Sequence, residues 1–368
     1  MSAPKKQVVV LAGTRPEVIK LAPVVQALQA NRKLRPAVWL TGQHTVMAGQ
    51  MLEHFRLRAD ETFRISRQPG NITKLLAEVS RELARHLGRL RPAMIVVQGD
   101  TTSAMLGAVA GFYEGIPVAH VEAGLRSFDL QQPFPEEFNR RVISVGARLH
   151  FCPTKVSATN LLRERVDRKS IHVVGNTCID ALFWTLRRKN GRRIFSTGRR
   201  GILVTLHRRE NWGDAIAGIC RVLRNLASEF PDTEILLPVH KNPVVAETIR
   251  RELRSQDRIN LVAPMGYSSF CQAMKEAYLI VSDSGGVQEE ALALGTPVLV
   301  TRGVTERPEV LKGGTVRLVG TSPEVLHAAC VALLGDKRAY AKAHVARFPF
   351  GRGDAAKKIA ATIGQTLH

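Results

Sequence analysis

A chain of 368 residues with 45% hydrophobic content exceeds what one hydrophobic core usually organises, so two α/β domains are the first expectation. A formal charge of +21, from 53 Lys and Arg against 32 Asp and Glu, biases the surface field toward phosphate-bearing partners without choosing between nucleotide and nucleic acid. The five cysteines form neither CxxC nor a Cys/His cluster, which leaves disulfide and zinc frameworks unsupported, and with no export signal or membrane-length apolar run legible, a cytoplasmic protein is expected.

Short β-branched runs recur along the chain, each followed by Gly, Ser, Thr or Asp and then by helical periodicity, the pattern of βαβ units. The first half offers strands at Val8–Ala12, Ala37–Thr41, Met94–Gln98, Val118–Val121, Leu149–Cys152 and Ile171–Val174. The second half offers Ile202–Leu206, Glu234–Val239, Ile259–Val262, Leu279–Ser282, Val298–Thr301 and Val316–Val319. Two comparable sets predict two doubly wound, Rossmann-like sheets. Between them, the basic run 187–193 with Arg199-Arg200 behind it reads as an exposed linker, since no aromatics interleave with the charges as an RNA contact would need. The domains are therefore placed at 1–180 and 181–353. A last helix, 354–368, carries Ile359, Ile363 and Leu367 at i, i+4 and i+8, and is expected to pack back on the first domain.

Gly13-Thr14-Arg15-Pro16-Glu17 follows the first strand, with Pro16 suited to the first helical position. Arg15 then stands at the carboxyl edge of the sheet, where α/β folds bind ligands, and Lys20 lies about one helical turn further. A fixed cation there suits a phosphate, and an ordinary turn with a surface Arg reads equally well. Neither GxGxxG nor GxxxxGK(S/T) occurs, which argues against a dinucleotide fingerprint and a P-loop. Three carboxylates fall at loop positions: Asp100 after a strand, Glu122 in the segment 120–126, and Glu136 in the segment 133–140. Gathered on one ligand-facing edge they can act as acid–base groups; each alone is more often a cap or an ion-pair partner.

In the second half His207, within 205–211, follows a strand and suits phosphate binding, proton transfer or a structural role. Ser282-Asp283-Ser284-Gly285-Gly286-Val287-Gln288-Glu289-Glu290 is the strongest local signal. Its glycines let backbone N–H groups approach a pyrophosphate at a helix start, Ser284 adds a hydroxyl, and Glu290 can accept from ribose hydroxyls. Arg307 again lies just past a strand, and Arg15, Lys20, His207 and Arg307 can together enclose a diphosphate.

The ordered set Gly-Thr-Arg-Pro-Glu (13–17), Gly-Asp-Thr-Thr (99–102), His-Val-Glu-Ala-Gly-Leu-Arg (120–126), Pro-Glu-Glu-Phe-Asn-Arg (135–140), Gly-Asn-Thr (175–177), His-Arg-Arg-Glu (207–210), the 282–290 segment and Glu-Arg-Pro-Glu (306–309) closely resembles the non-hydrolysing UDP-N-acetylglucosamine 2-epimerase family over nearly the whole chain. The resemblance implies a glycosyltransferase-B-like fold with an active-site cleft between two Rossmann-like domains. It implies interconversion of UDP-N-acetylglucosamine and UDP-N-acetylmannosamine by inversion at C2, through loss and re-addition of UDP, with no cofactor and no metal. It assigns Asp100, Glu122, Glu136 and His207 to catalysis, and Arg15, Lys20, Phe270, Ser284, Gly285, Gly286, Glu290 and Arg307 to UDP.

The same resemblance suggests a homodimer supplying cell-surface polysaccharide precursors. Two positions depart from its pattern: Val46 replaces a polar residue in the activator-binding segment 43–46, and Met265 stands where some members place a uracil-contacting Gln. The alternatives are a hydrolysing epimerase, an epimerase of a UDP-diacetamido-uronic acid, and a glycosyltransferase of the same fold. A specific nucleic-acid partner is not expected, because no nucleic-acid motif is present.

Overall fold

The computed structural model describes residues 4–43, 45–65, 71–188, 193–206, 208, 212–240, 242–254 and 256–367. The chain divides into two compact units, Met1–Ala181 with Phe350–His368, and Leu182–Pro349. In the first unit β1 (Lys6–Ala12), β2 (Leu34–Leu40), β3 (Glu61–Thr62), β4 (Met94–Gln98), β5 (Val118–Val121), β6 (Leu149–Cys152) and β7 (Ile171–Val173) form one sheet in the order β3-β2-β1-β4-β5-β6-β7. Every neighbouring pair is parallel. The β-branched runs Val8–Ala12 and Met94–Gln98 are buried throughout, as central parallel strands must be when helices cover both faces.

The second unit repeats the plan with β8 (Arg200–Thr205), β9 (Thr233–Pro238), β10 (Ile259–Val262), β11 (Leu279–Ser282), β12 (Val298–Val300) and β13 (Val316–Leu318). Its order is β10-β9-β8-β11-β12-β13, again all parallel. In each sheet the strand order reverses once, between β1 and β4 and between β8 and β11. Ligands of open α/β sheets bind outside the carboxyl ends of strands at such a reversal. The segments emerging there are Gly13–Arg15 and Gly99–Asp100 in one unit, and Leu206–Arg208 and Asp283–Gly286 in the other.

Three local readings are corrected. The strand β3 has no counterpart among the predicted strands: two exposed residues have neither the length nor the apolar alternation to be legible, and they are strand only because they pair with Trp39 and Leu40. Arg200, read as part of a basic linker, is the first residue of β8; it ion-pairs with Asp232 at 2.6 Å and donates to the Leu334 carbonyl at 2.6 Å. Pro16 is the second helical residue, because Arg15 already begins the helix Arg15–Ala30.

The last helix, Ala355–Thr366, lies against the Arg15–Ala30 helix with Ile359 and Ile363 fully buried. Asp180 accepts the Ala356 N–H at 3.0 Å, supplying an oxygen to a helix start that otherwise has no side-chain cap. All five cysteines are buried thiols, none in a disulfide. No helix among the described residues is long and apolar enough to cross a membrane.

Candidate functional site

In the first unit the turn after β1 is locked by its own sequence. Glu17 folds back on the helix start, where its carboxylate accepts from the N–H groups of Gly13 at 3.1 Å and Thr14 at 2.7 Å, and from the Thr14 hydroxyl at 2.7 Å. Its other oxygen accepts from the Thr101 hydroxyl at 2.8 Å, so one buried carboxylate ties the turn carrying Arg15 to the turn carrying Asp100. Burial raises the Glu17 carboxyl to about 7 against the opposing pull of these donors.

Asp100 leaves β4 and meets Arg140, which donates to its Oδ2 from Nε at 3.0 Å and Nη2 at 2.6 Å. Arg140 also donates to Glu137 at 3.0 Å, and Asn139 donates to the Asp100 carbonyl at 2.8 Å. These groups all come from the helix Glu136–Gly146, so Glu136 opens a helix rather than lying in a loop. Its Oε2 is buried and has no hydrogen-bond partner among the described residues, which leaves an acceptor aimed away from solvent.

Glu122 follows β5 directly and holds φ at +65°, a left-handed conformation costing a residue with a Cβ on the order of 1–2 kcal/mol. Its carboxylate accepts from Lys20 Nζ at 2.7 and 2.6 Å, from Asn176 Nδ2 at 3.0 Å, and from Gln98 Nε2. Lys20, expected to share an anion with Arg15, is thus ion-paired with Glu122. His120, two residues earlier, is buried; its Nε2–H donates to the Gly99 carbonyl at 2.7 Å, and burial pushes its imidazole down to about 3, so the ring is neutral. Asp100, Glu122 and the helix begun by Glu136 are therefore gathered at the carboxyl ends of β4 and β5, with Arg15 half-buried past the end of β1.

In the second unit the buried Asp283 accepts the Arg208 N–H at 2.9 Å, which joins the segment after β8 to the segment after β11. Ser284 stands at the N-cap of the helix Gly285–Leu294, and its hydroxyl makes no cap bond. The lack of a side chain at Gly285 lets Arg307 come close: a Cβ there would stand 2.7 Å from Arg307 Nη1. Arg307 is held over that helix start by Glu289, to which its Nε donates, with Glu306 3.7 Å from Nη1. A helix start, whose first N–H groups have no partner within the helix, together with a glycine pair and a guanidinium held by carboxylates, makes a site suited to a diphosphate.

Glu290, buried in the same helix, accepts from Tyr267 Oη at 3.0 Å. Tyr267 opens the helix Tyr267–Glu276, and Phe270 lies half-buried one turn further along that helix. Ser284, Gly285, Gly286 and Arg307 thus share one helix start, and Glu290, further along that helix, is tied through Tyr267 to the helix that carries Phe270. His207 lies outside the described residues, as does His44 of the 43–46 segment, whereas Val46 is 66% exposed. Sequence reasoning gave no role to Glu17, Gln98, Arg140, Asn176 or Glu289, although each lies inside a segment it had singled out; Tyr267 carried no such signal. Among the described residues no group of three or more His, Cys, Asp or Glu is placed to hold a metal ion.

A family model described as UDP-N-acetylglucosamine 2-epimerase matches residues 26–364. The chain is 43% identical over 364 residues to a UDP-N-acetylglucosamine 2-epimerase of Yersinia pestis, covering 96% of this chain and 97% of that one. A crystal structure of a Neisseria meningitidis UDP-GlcNAc 2-epimerase bound to UDP-GlcNAc matches with a TM-score of 0.92 at 37% identity, covering 98% of this chain and 100% of that one. A Methanocaldococcus jannaschii UDP-GlcNAc 2-epimerase in complex with UDP-GlcNAc and UDP matches with a TM-score of 0.83 at 32% identity, covering 98% and 99%. The expected α/β fold of the glycosyltransferase-B type, with two Rossmann-like sheets, is borne out.

Proposed function

Because the chain belongs to the UDP-N-acetylglucosamine 2-epimerase family, we propose that it interconverts UDP-N-acetylglucosamine and UDP-N-acetylmannosamine as a non-hydrolysing enzyme, releasing UDP and adding it back. In the elimination the C2–H bond breaks and its proton passes to a base. The electron pair becomes the C1=C2 bond of a 2-acetamidoglucal, and the C1–O pair departs with UDP. In the return a proton reaches the opposite face of C2 and a diphosphate oxygen adds to C1. The sequence of steps is redox-neutral and consumes no co-reactant.

The observation that carries this reading is the Gly285 helix start with Arg307 fixed over it, because a diphosphate leaves without a cofactor only where donors and cations already await its charge. Ser284, Gly285, Gly286, Arg307 and Arg15 are assigned to the diphosphate, Phe270 to the base and Glu290 to the ribose. Lys20 adds charge from its pair with Glu122. Asp100, Glu122, Glu136 and His207 are assigned to acid–base work, since inversion at carbon needs groups on both faces of the ring. The enzyme is proposed to act in the cytoplasm as a homodimer, in the supply of cell-surface polysaccharide precursors.

Proton NMR of UDP-N-acetylglucosamine with enzyme in heavy water tests the proposal. The expected outcome is UDP-N-acetylmannosamine with deuterium at C2 in both epimers. Accumulating free N-acetylmannosamine would assign the chain to hydrolysing enzymes, and a C2 that never exchanges would remove the epimerase reading altogether.

A further inference from the structure

We infer that Asn176 is a positioning residue for Glu122, aiming its carboxylate through a side-chain donor that is itself anchored to the returning segment at Phe350; the inference rests on the reading in which Glu122 does acid–base work. Asn176 is 2% exposed and immediately precedes the helix Thr177–Leu186. Its Oδ1 accepts the N–H of Cys178 at 3.2 Å, as an N-cap does. That bond fixes which end of the amide is oxygen, and so turns Nδ2 toward Glu122, to which it donates at 3.0 Å.

The main chain at this point is equally constrained. The Asn176 N–H donates to the Phe350 carbonyl at 2.7 Å. Gly175, just before it, has φ at +102°, and a Cβ there would stand 2.8 Å from that same carbonyl oxygen and 3.2 Å from Gly351 Cα. Only glycine allows the two stretches of backbone to touch in this way. Among the described side chains that donate to Glu122, Lys20 has a long flexible stem and Gln98 has three side-chain torsions. Asn176 has two, with both polar ends and its backbone N–H engaged. It therefore restricts the carboxylate's direction most.

Two substitutions separate positioning from capping. In Asn176→Thr and Asn176→Ser the helix keeps a hydroxyl cap that is too short to reach Glu122, so the donor is lost without a second charge being set against that carboxylate. Both are expected to lower kcat and C2 exchange about 10- to 100-fold while KM stays within about threefold and Tm within a few degrees. Wild-type rates in both variants would overturn the inference and leave Asn176 as a cap alone. Should the wild-type enzyme itself fail to exchange C2, the functional reading fails separately, and the crystal structure of Asn176→Ser then decides. A Glu122 carboxylate displaced by about 1 Å or more supports positioning, and one that has not moved overturns it.

Discussion

Asp100 and Glu122 emerge from adjacent strands, yet they meet different cations. Asp100 is gripped by Arg140, a planar group that stays charged, whereas Glu122 meets Lys20, a point charge on a flexible stem. Both carboxylates accept from cationic donors, so replacing either with its amide removes the charge and turns one acceptor oxygen into an N–H donor. Asp100→Asn and Glu122→Gln are each expected to lower kcat at least about 100-fold with UDP affinity changed less than about threefold; calorimetric titration with UDP beside a turnover assay checks the split. Near-normal turnover in either variant removes that residue from the mechanism. Glu17 supplies a pH test. Its folded carboxyl sits at about 7, above the ordinary 4.5, so the folded state holds this proton more tightly than the unfolded chain. Its contribution to stability is present below about pH 4.5 and is lost as pH rises through about 7. Glu17→Gln should flatten that limb, and denaturant melts of both proteins between pH 5 and 8, a range of about that window, will show it; parallel curves would exclude Glu17 as its source.

At the level of elements, the same construction appears in both units: a buried parallel strand, a tight turn, and a helix whose first turn faces the sheet's carboxyl edge. In the second unit the helix Gly285–Leu294 lends its N–H groups, and Arg307 closes over it because position 285 has no side chain. Gly285→Ala is therefore expected to leave thermal stability nearly unchanged, since alanine favours helix and the clash is with the far end of a flexible arginine. UDP affinity should fall about tenfold as the guanidinium is displaced. A UDP titration beside a melting curve measures both, and unchanged affinity would remove Arg307 from the diphosphate site. The Glu136–Gly146 helix shows where sequence reading stops. Glu136 was legible as a candidate carboxylate, but the reach of Asn139 and Arg140, from the helix that it opens, back to Asp100 is a contact that no local pattern announces.

Over the whole molecule, the chain passes from one unit to the other near Ala181 and returns near Pro349, so the first unit completes its core only with the final helix. That helix buries Ile359 and Ile363 against the first one. Ile359→Ala is expected to destabilise the first unit by about 2–5 kcal/mol, as for other buried large-to-small changes. Calorimetric scans should show its transition lowered while that of the second unit stays in place; a loss below about 1 kcal/mol would mean the helix docks weakly. Arg126, Arg140, Arg200, Arg302 and Arg307 all have carboxylate partners, and since each pair takes up one charge of either sign, the excess of 21 positive charges is carried by other residues. That excess is a nonspecific attraction to anions and does not by itself indicate a nucleic-acid partner.

The sequence by itself determined the two parallel sheets, because β-branched runs alternating with helical periods allow few other packings, and it determined the family, through motifs spaced along nearly the whole chain. It also marked Asp100, Glu122 and the Gly285-Gly286 turn as candidates, since each follows a recognisable strand. Only the tertiary structure decided whom those residues touch. Lys20 and Glu122 are 102 positions apart, Asp100 and Arg140 are 40 apart, and Asn176 and Glu122 are 54 apart. Periodicity and turn chemistry act over a few residues, whereas the partner of a buried charge is set by which strands lie side by side once the sheet has formed.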